Sequence, residues 1–126
     1  MLIGLNRIRR AADRERVLGE IERMKIDKER IGGDMGWLCA CGCGQRGHDL
    51  HHALFSRLKR FPYLDADENL VLVNHDEHVA LKKFDNVEWR KFFWKLQCKR
   101  YGLEHMEEWI ENLPAKLDRG RIDFIE

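Results

Sequence analysis

Five of the six histidines and three of the four cysteines fall between positions 39 and 78 of a 126-residue chain. Histidine titrates near neutrality and is the commonest metal ligand. His51 and His52 stand side by side, and His75 and His78 follow an apolar stretch. Two imidazoles on one divalent cation, with a third left uncoordinated, would equip a site for phosphodiester hydrolysis. The free imidazole deprotonates water, and the cation neutralises charge on the scissile phosphate and the leaving oxygen. Adjacent strand residues point to opposite faces. The His51-His52 pair therefore serves one site only if the chain bends or twists there; otherwise one is functional and the other packs.

The elements that must position these groups are legible in outline. Asp49 to Phe55 reads as a short strand, and Asn69-Leu-Val-Leu-Val73 as a buried one. Between them runs a long basic loop holding Arg57, Lys59 and Arg60, in which Phe61-Pro62-Tyr63 discourages regular pairing. After Val73, Asn74 can cap a helix, and Asp76 and Glu77 favour the positive end of its dipole. That helix is expected to run through Leu81 toward Phe84, with His78 near its start and facing the strand that carries the pair. Upstream, Leu5, Ile8, Ala12, Leu18, Ile21 and Met24 recur at helical steps and predict an amphipathic helix to about Arg30, broken by Ile31-Gly32-Gly33-Asp34. Downstream, Asp85 with Glu88 reads as a capping box. Trp89, Phe92, Phe93 and Leu96 give the next helix its apolar face, and Gly102 ends it. Leu103, Met106, Trp109, Ile110 and Leu113 mark a last helix stopped by Pro114.

Asp49-Leu-His-His-Ala-Leu, followed by Glu68-Asn-Leu-Val-Leu-Val-Asn-His-Asp-Glu-His78, resembles the HNH nuclease motif, a likeness covering about Cys39 to Phe84. That family includes phage and homing endonucleases and bacterial nuclease toxins. The resemblance implies an α+β fold with a ββα-metal core, a short β-hairpin over a helix clamping one divalent ion. Here the core is flanked by an N-terminal and two C-terminal α-helices. One domain is expected: a helical extension over 1–34, the core over 37–84 and the last helices over 85–126. By the same resemblance His51 and His78 are metal ligands and His52 is the general base. Asn69 holds the hairpin loop by side-chain-to-backbone hydrogen bonds so that the base is oriented. The implied activity is metal-dependent hydrolysis of DNA, nicking or cutting both strands and leaving 5′-phosphate and 3′-hydroxyl ends.

The sequence departs from the commonest pattern. Many relatives carry a structural zinc on two Cys-x-x-Cys pairs; here the second pair would fall at Asn74 and Glu77. The first is replaced by Cys39-Ala-Cys41-Gly-Cys43, whose spacing is not that of a zinc knuckle. Those three with His48 are a conceivable ligand set, but the expectation is reduced thiols rather than a structural zinc. Some toxin relatives have a further histidine where Lys82 stands.

Arg57, Lys59, Arg60, Lys82 and Lys83 are the candidates for holding the DNA backbone by charge. For each of them, plain surface charge is the alternative. His75 either supports the site from behind a ligand or faces solvent in the first helical turn, and His105 has no claim on it. The catalytic cation is expected to be one of Mg²⁺, Mn²⁺, Ni²⁺, Co²⁺ or Zn²⁺, since imidazoles tolerate the softer ions. A hydrophobic content of 44% fits a globular domain, and a net charge of +1 does not by itself point to nucleic acid. No apolar run reaches membrane length and no secretory h-region is visible, so a cytoplasmic protein is expected. Phage or prophage origin, and packaging or recombination partners, follow only by analogy with small phage-encoded HNH proteins; the oligomeric state is open. Two other classes compete: a non-catalytic nucleic-acid- or protein-binding module on the same scaffold, and a purely structural zinc domain organised by the cysteines.

Overall fold

Leu70-Val71-Leu72-Val73 is apolar at every position, so a strand made of it needs cover on both faces. The computed structural model, which describes residues 19–57, 62–114 and 122–125, supplies that cover. Strand β1 (Asp49–His52) pairs antiparallel with β2 (Leu70–Val73), with His51 opposite Val71 and His52 opposite Leu70. Side-chain alternation then divides β2 between two clusters. Val71 and Val73 join the larger core with Leu54, Phe84, Phe93 and Met106, while Leu70 and Leu72 pack with Ile31. Leu50 packs on the Ile31 side. His51, of opposite parity, lies against the larger core, 5.7 Å from the Phe84 ring and 5.8 Å from that of Phe93.

Both strands are shorter than the sequence suggests. Ala53 N still donates to the Asn69 carbonyl at 2.8 Å, but Leu54 and Phe55 leave the ladder and turn into the core, and Asn69 closes a 3-10 turn (Asp67–Asn69) before β2 begins.

The first helix, α1, spans 19–34 of the described residues. It runs through Gly32 and Gly33 instead of breaking there. Gly32 lies under the indole of Trp37, where a Cβ would come within 2.6 Å of the ring. The chain reverses only at Gly36 and Trp37, both with positive φ. Ile31 is buried and Arg30 is ion-paired to Asp67, whereas Ile21 and Met24 are exposed. The earlier stripe residues Leu5, Ile8, Ala12 and Leu18 lie outside the described residues.

Helix α2 (Val87–Tyr101) is capped by Asn86, whose side chain accepts from Trp89 N at 3.0 Å, one residue later than the expected Asp85 box. Gly102, at φ 96, links it to α3 (Leu103–Glu111), and its N–H bonds the Cys98 carbonyl at 2.9 Å. That φ is costly for any residue with a Cβ. Phe124 returns the chain to the core, 5.5 Å from both the Phe55 and Trp94 rings. Burying Phe93 and Phe124 contributes on the order of 2–3 kcal/mol each. The architecture is thus α+β, a two-stranded antiparallel hairpin among helices. Among the described residues no helix is long and apolar enough to cross a membrane.

Candidate functional site

His51 projects from β1 toward the segment after β2, which carries His78. That segment is a π-helical turn (Asp76–Ala80), closed by Leu81 N on the Asp76 carbonyl at 3.0 Å, rather than an α-helix reaching Phe84. The Asn74 side chain caps it, accepting from Glu77 N at 3.2 Å. π-Turns are uncommon and concentrate at functional sites. Here the turn brings His78 Nε2 to 3.2 Å from His51 Nδ1, beside an open cleft of about 380 Å³ lined by both histidines with Val79, Lys82, Phe84 and Asp85.

Asp49, two residues before His51 and on the same strand face, sets the orientation of His78. Its Oδ2 lies 3.1 Å from His78 Nδ1 and 2.8 Å from His75 Nδ1. An ionised carboxylate only accepts, so His78 Nδ1 carries the proton and Nε2 keeps its lone pair toward His51. Burial opposes the charge on Asp49, but hydrogen bonds from His78 and His75 outweigh it and hold the carboxyl below its ordinary range. Burial first, then the charges of His78 and His52, pushes His51 down to about 4. Near neutral pH His51 therefore stays uncharged and able to ligate. Two nitrogens bound to one cation at about 2.0–2.1 Å stand roughly 3.0–3.4 Å apart. The His51–His78 separation of 3.2 Å fits a shared divalent ion.

His52 is engaged elsewhere. It lies opposite Leu70, does not line that cleft, and places Nε2 2.8 Å from Asp65 Oδ1. The carboxylate again fixes the tautomer: Nε2 donates, leaving Nδ1 as the lone-pair nitrogen. Arg57 shares Asp65, at 3.8 Å. Asn69, fully buried, makes four bonds that tie the loop after β1 to the start of β2. Its Oδ1 accepts from Leu54 N and Phe55 N, both at 2.9 Å. Its Nδ2 donates to the Phe55 carbonyl at 2.9 Å and the Leu64 carbonyl at 2.8 Å.

Of the basic candidates, Lys82 lines the cleft and Lys59 and Arg60 lie outside the described residues. Lys83 is turned away from a free phosphate-binding role. It is ion-paired to Glu77, with Nζ 3.6 Å from Cys41 Sγ. His105 bonds Glu68 at 3.0 Å.

The cysteines converge with a fourth group that spacing could not reveal. Cys39, Cys41, Cys43 and Glu77 place ligand atoms within 4.8 Å of one another, a set able to hold a metal ion. Reduced thiols are the expectation from sequence, with His48 only a conceivable fourth ligand; His48 instead accepts from His75 N at 3.4 Å. Asp49 was findable from its parity with His51. Asp65 and Glu77 reach their partners only through the fold and left no local signal. No protein-family model, curated protein or solved structure matches this chain. Its chemistry therefore stands on the side chains just described.

Proposed function

We propose that this chain is a metal-dependent endonuclease of the HNH, ββα-metal type that hydrolyses DNA phosphodiester bonds. The observation that carries the reading is the facing pair His51 Nδ1 and His78 Nε2, 3.2 Å apart beside an open cleft. His51 and His78 would hold the cation, with Asp49 keeping the His78 lone pair aimed inward. A divalent ion held there would supply Lewis-acid stabilisation of charge on the phosphate and leaving oxygen. His52 accepts the proton of the attacking water at Nδ1, and Asp65 steadies the imidazolium that results. His51 and His52 belong to opposite faces of β1, so one phosphodiester meets both only at the end of the strand, where the ladder stops. Asn69 fixes the loop that begins there. Arg57 and Lys82 would hold flanking phosphates by charge.

The test is cleavage of supercoiled plasmid by metal-stripped protein supplied in turn with Mg²⁺, Mn²⁺, Ni²⁺ or Zn²⁺, beside His52→Ala and His78→Ala. Nicking or linearisation with at least one ion, lost in both variants, is the expected result. No cleavage with any ion, or cleavage unchanged in the variants, overturns the proposal. Retained DNA binding without cleavage would then favour the non-catalytic module.

A further inference from the structure

We infer that Cys39, Cys41, Cys43 and Glu77 form a second, thiolate-rich metal site that takes one zinc ion and fastens the cysteine loop to the turn bearing His78. The site is separate from the histidine pair and stands whether or not the chain cleaves DNA.

The distances suit one tetrahedral ion. Zn–S bonds of about 2.3 Å and Zn–O bonds of about 2.1 Å put neighbouring sulfurs about 3.8 Å apart and sulfur and oxygen about 3.6 Å apart. Cys39 Sγ and Cys41 Sγ are 3.3 Å apart, and Cys41 Sγ lies 3.7 Å from Glu77 Oε2. Cys43 Sγ is closer, donating to Glu77 Oε1 at 2.7 Å, a bond that a shared ion would replace. All four cysteines are free thiols.

The backbone is built to hold this arrangement. Gly42 and Gly44, at φ 83 and φ 81, let the chain coil so that three alternate cysteines face one point. Cys39 N donates to the Gln45 carbonyl at 2.9 Å, closing the loop, and Ala40 N donates to the Leu72 carbonyl at 2.8 Å, docking it on β2. Asn74 joins the two halves: its Nδ2 donates to the Arg46 carbonyl at 3.0 Å while its Oδ1 caps Glu77 N. The Glu77 side chain is only 8% exposed. A carboxylate that deep needs a cation. Lys83 provides one, and its reach to Cys41 Sγ would also offset the net charge of −2 left by three thiolates and a carboxylate around Zn²⁺. Soft thiolates select zinc over the hard Mg²⁺. Glu77 precedes His78, so an ion here would fix the turn that presents the His78 imidazole.

The test uses the full chain, reduced and then loaded with zinc or cobalt. Zinc should lower the thiols open to a disulfide-exchange reagent from four to one, leaving Cys98. Cobalt should give thiolate-to-metal charge-transfer absorption with the intense visible bands of a tetrahedral site. Both signatures should persist in His78→Ala and Cys98→Ser, which leave the site intact. Cys41→Ser should abolish the charge-transfer band or lower it by about a third, since it removes one of three thiolates. Glu77→Gln should keep that band while shifting the visible ones, a readout that survives if the cysteine variant fails to fold. Four thiols reactive in the presence of zinc overturn the inference, as does a cobalt spectrum without thiolate bands. A Cys39–Cys41 disulfide in protein handled under reducing conditions would overturn it too.

Discussion

At the scale of single residues, two carboxylates govern what the histidines can do. Asp49 bonds the nitrogen of His78 that faces away from His51, so its effect on a cation is indirect: it fixes which nitrogen carries the lone pair. Asp49→Asn keeps an acceptor but loses the charge, and should weaken Mn²⁺ or Ni²⁺ binding by roughly 10–100-fold with the fold intact, the usual range for such partners. Calorimetric titration of the variant checks this, and unchanged affinity would refute the orienting role. His51 gives a pH signature in metal-free protein. Folded, it takes up a proton only near pH 4; an unfolded histidine does so near pH 6.5. Protonation therefore favours the unfolded chain. The stability is unaffected above about pH 6.5 and falls as the pH drops from there toward 4. Denaturant midpoints at pH 7.5 and 5 should differ in the wild type and converge in His51→Gln. The carboxyls of Asp49 and Glu77, both held below their ordinary range, act further down and leave this window clear.

At the scale of elements, the hairpin is secured from outside its own ladder. Asn69 satisfies two N–H and two C=O groups of the chain that folds back over β2. Asn69→Ala strands all four in a buried place, at 1–3 kcal/mol for a typical unpaired group, so a loss on the order of 3–4 kcal/mol is expected after partial hydration. Urea unfolding measures it; a loss under about 1 kcal/mol would mean the loop is held by packing instead. Gln97 does similar work from α2, its Nε2 lying 3.1–3.2 Å from the carbonyls of Asp67, Glu68 and Leu70. Contacts between near neighbours are legible in the sequence, and contacts of this long reach are not. The apolar run of β2, the Asn74 cap and the Gly102 terminus act through near neighbours and were readable. The inward face of α2 was not: Phe93, Trp94 and Gln97 are buried while Phe92 is 41% exposed. A polar residue at the centre of that face answers carbonyls some thirty residues away, and no periodicity records it. The π-turn escaped for a related reason, since its cap looks like that of any helix. The His51–His78 pairing was anticipated and Asp49 shares the strand face of His51, whereas Glu77 and Asp65, both outside the strands, meet their partners only through the fold.

At the scale of the whole molecule, the balance of charge decides how a polyanion would be met. Twenty-three basic and twenty-two acidic side chains nearly cancel, so there is no global field to steer DNA, and attraction must be local. The cations are not equivalent. Lys82 is exposed and lines the histidine cleft, and Arg57 shares Asp65 with His52. Lys83 is committed to Glu77 and the cysteine loop. Each phosphate neutralised contributes about 0.9 to the slope of log affinity against log salt. In a His52→Ala background, which prevents turnover, Lys82→Ala should therefore flatten that slope by about 1 for a short duplex followed by fluorescence anisotropy. Lys83→Ala should leave the slope unchanged and instead lower thermal stability, because it removes the cation that neutralises a buried carboxylate. If both substitutions flatten the slope equally, the basic pair acts as one surface patch and the division of labour between cleft and cysteine loop is wrong. If only Lys82 does, the DNA backbone lies along the cleft beside His51 and His78, where hydrolysis requires it.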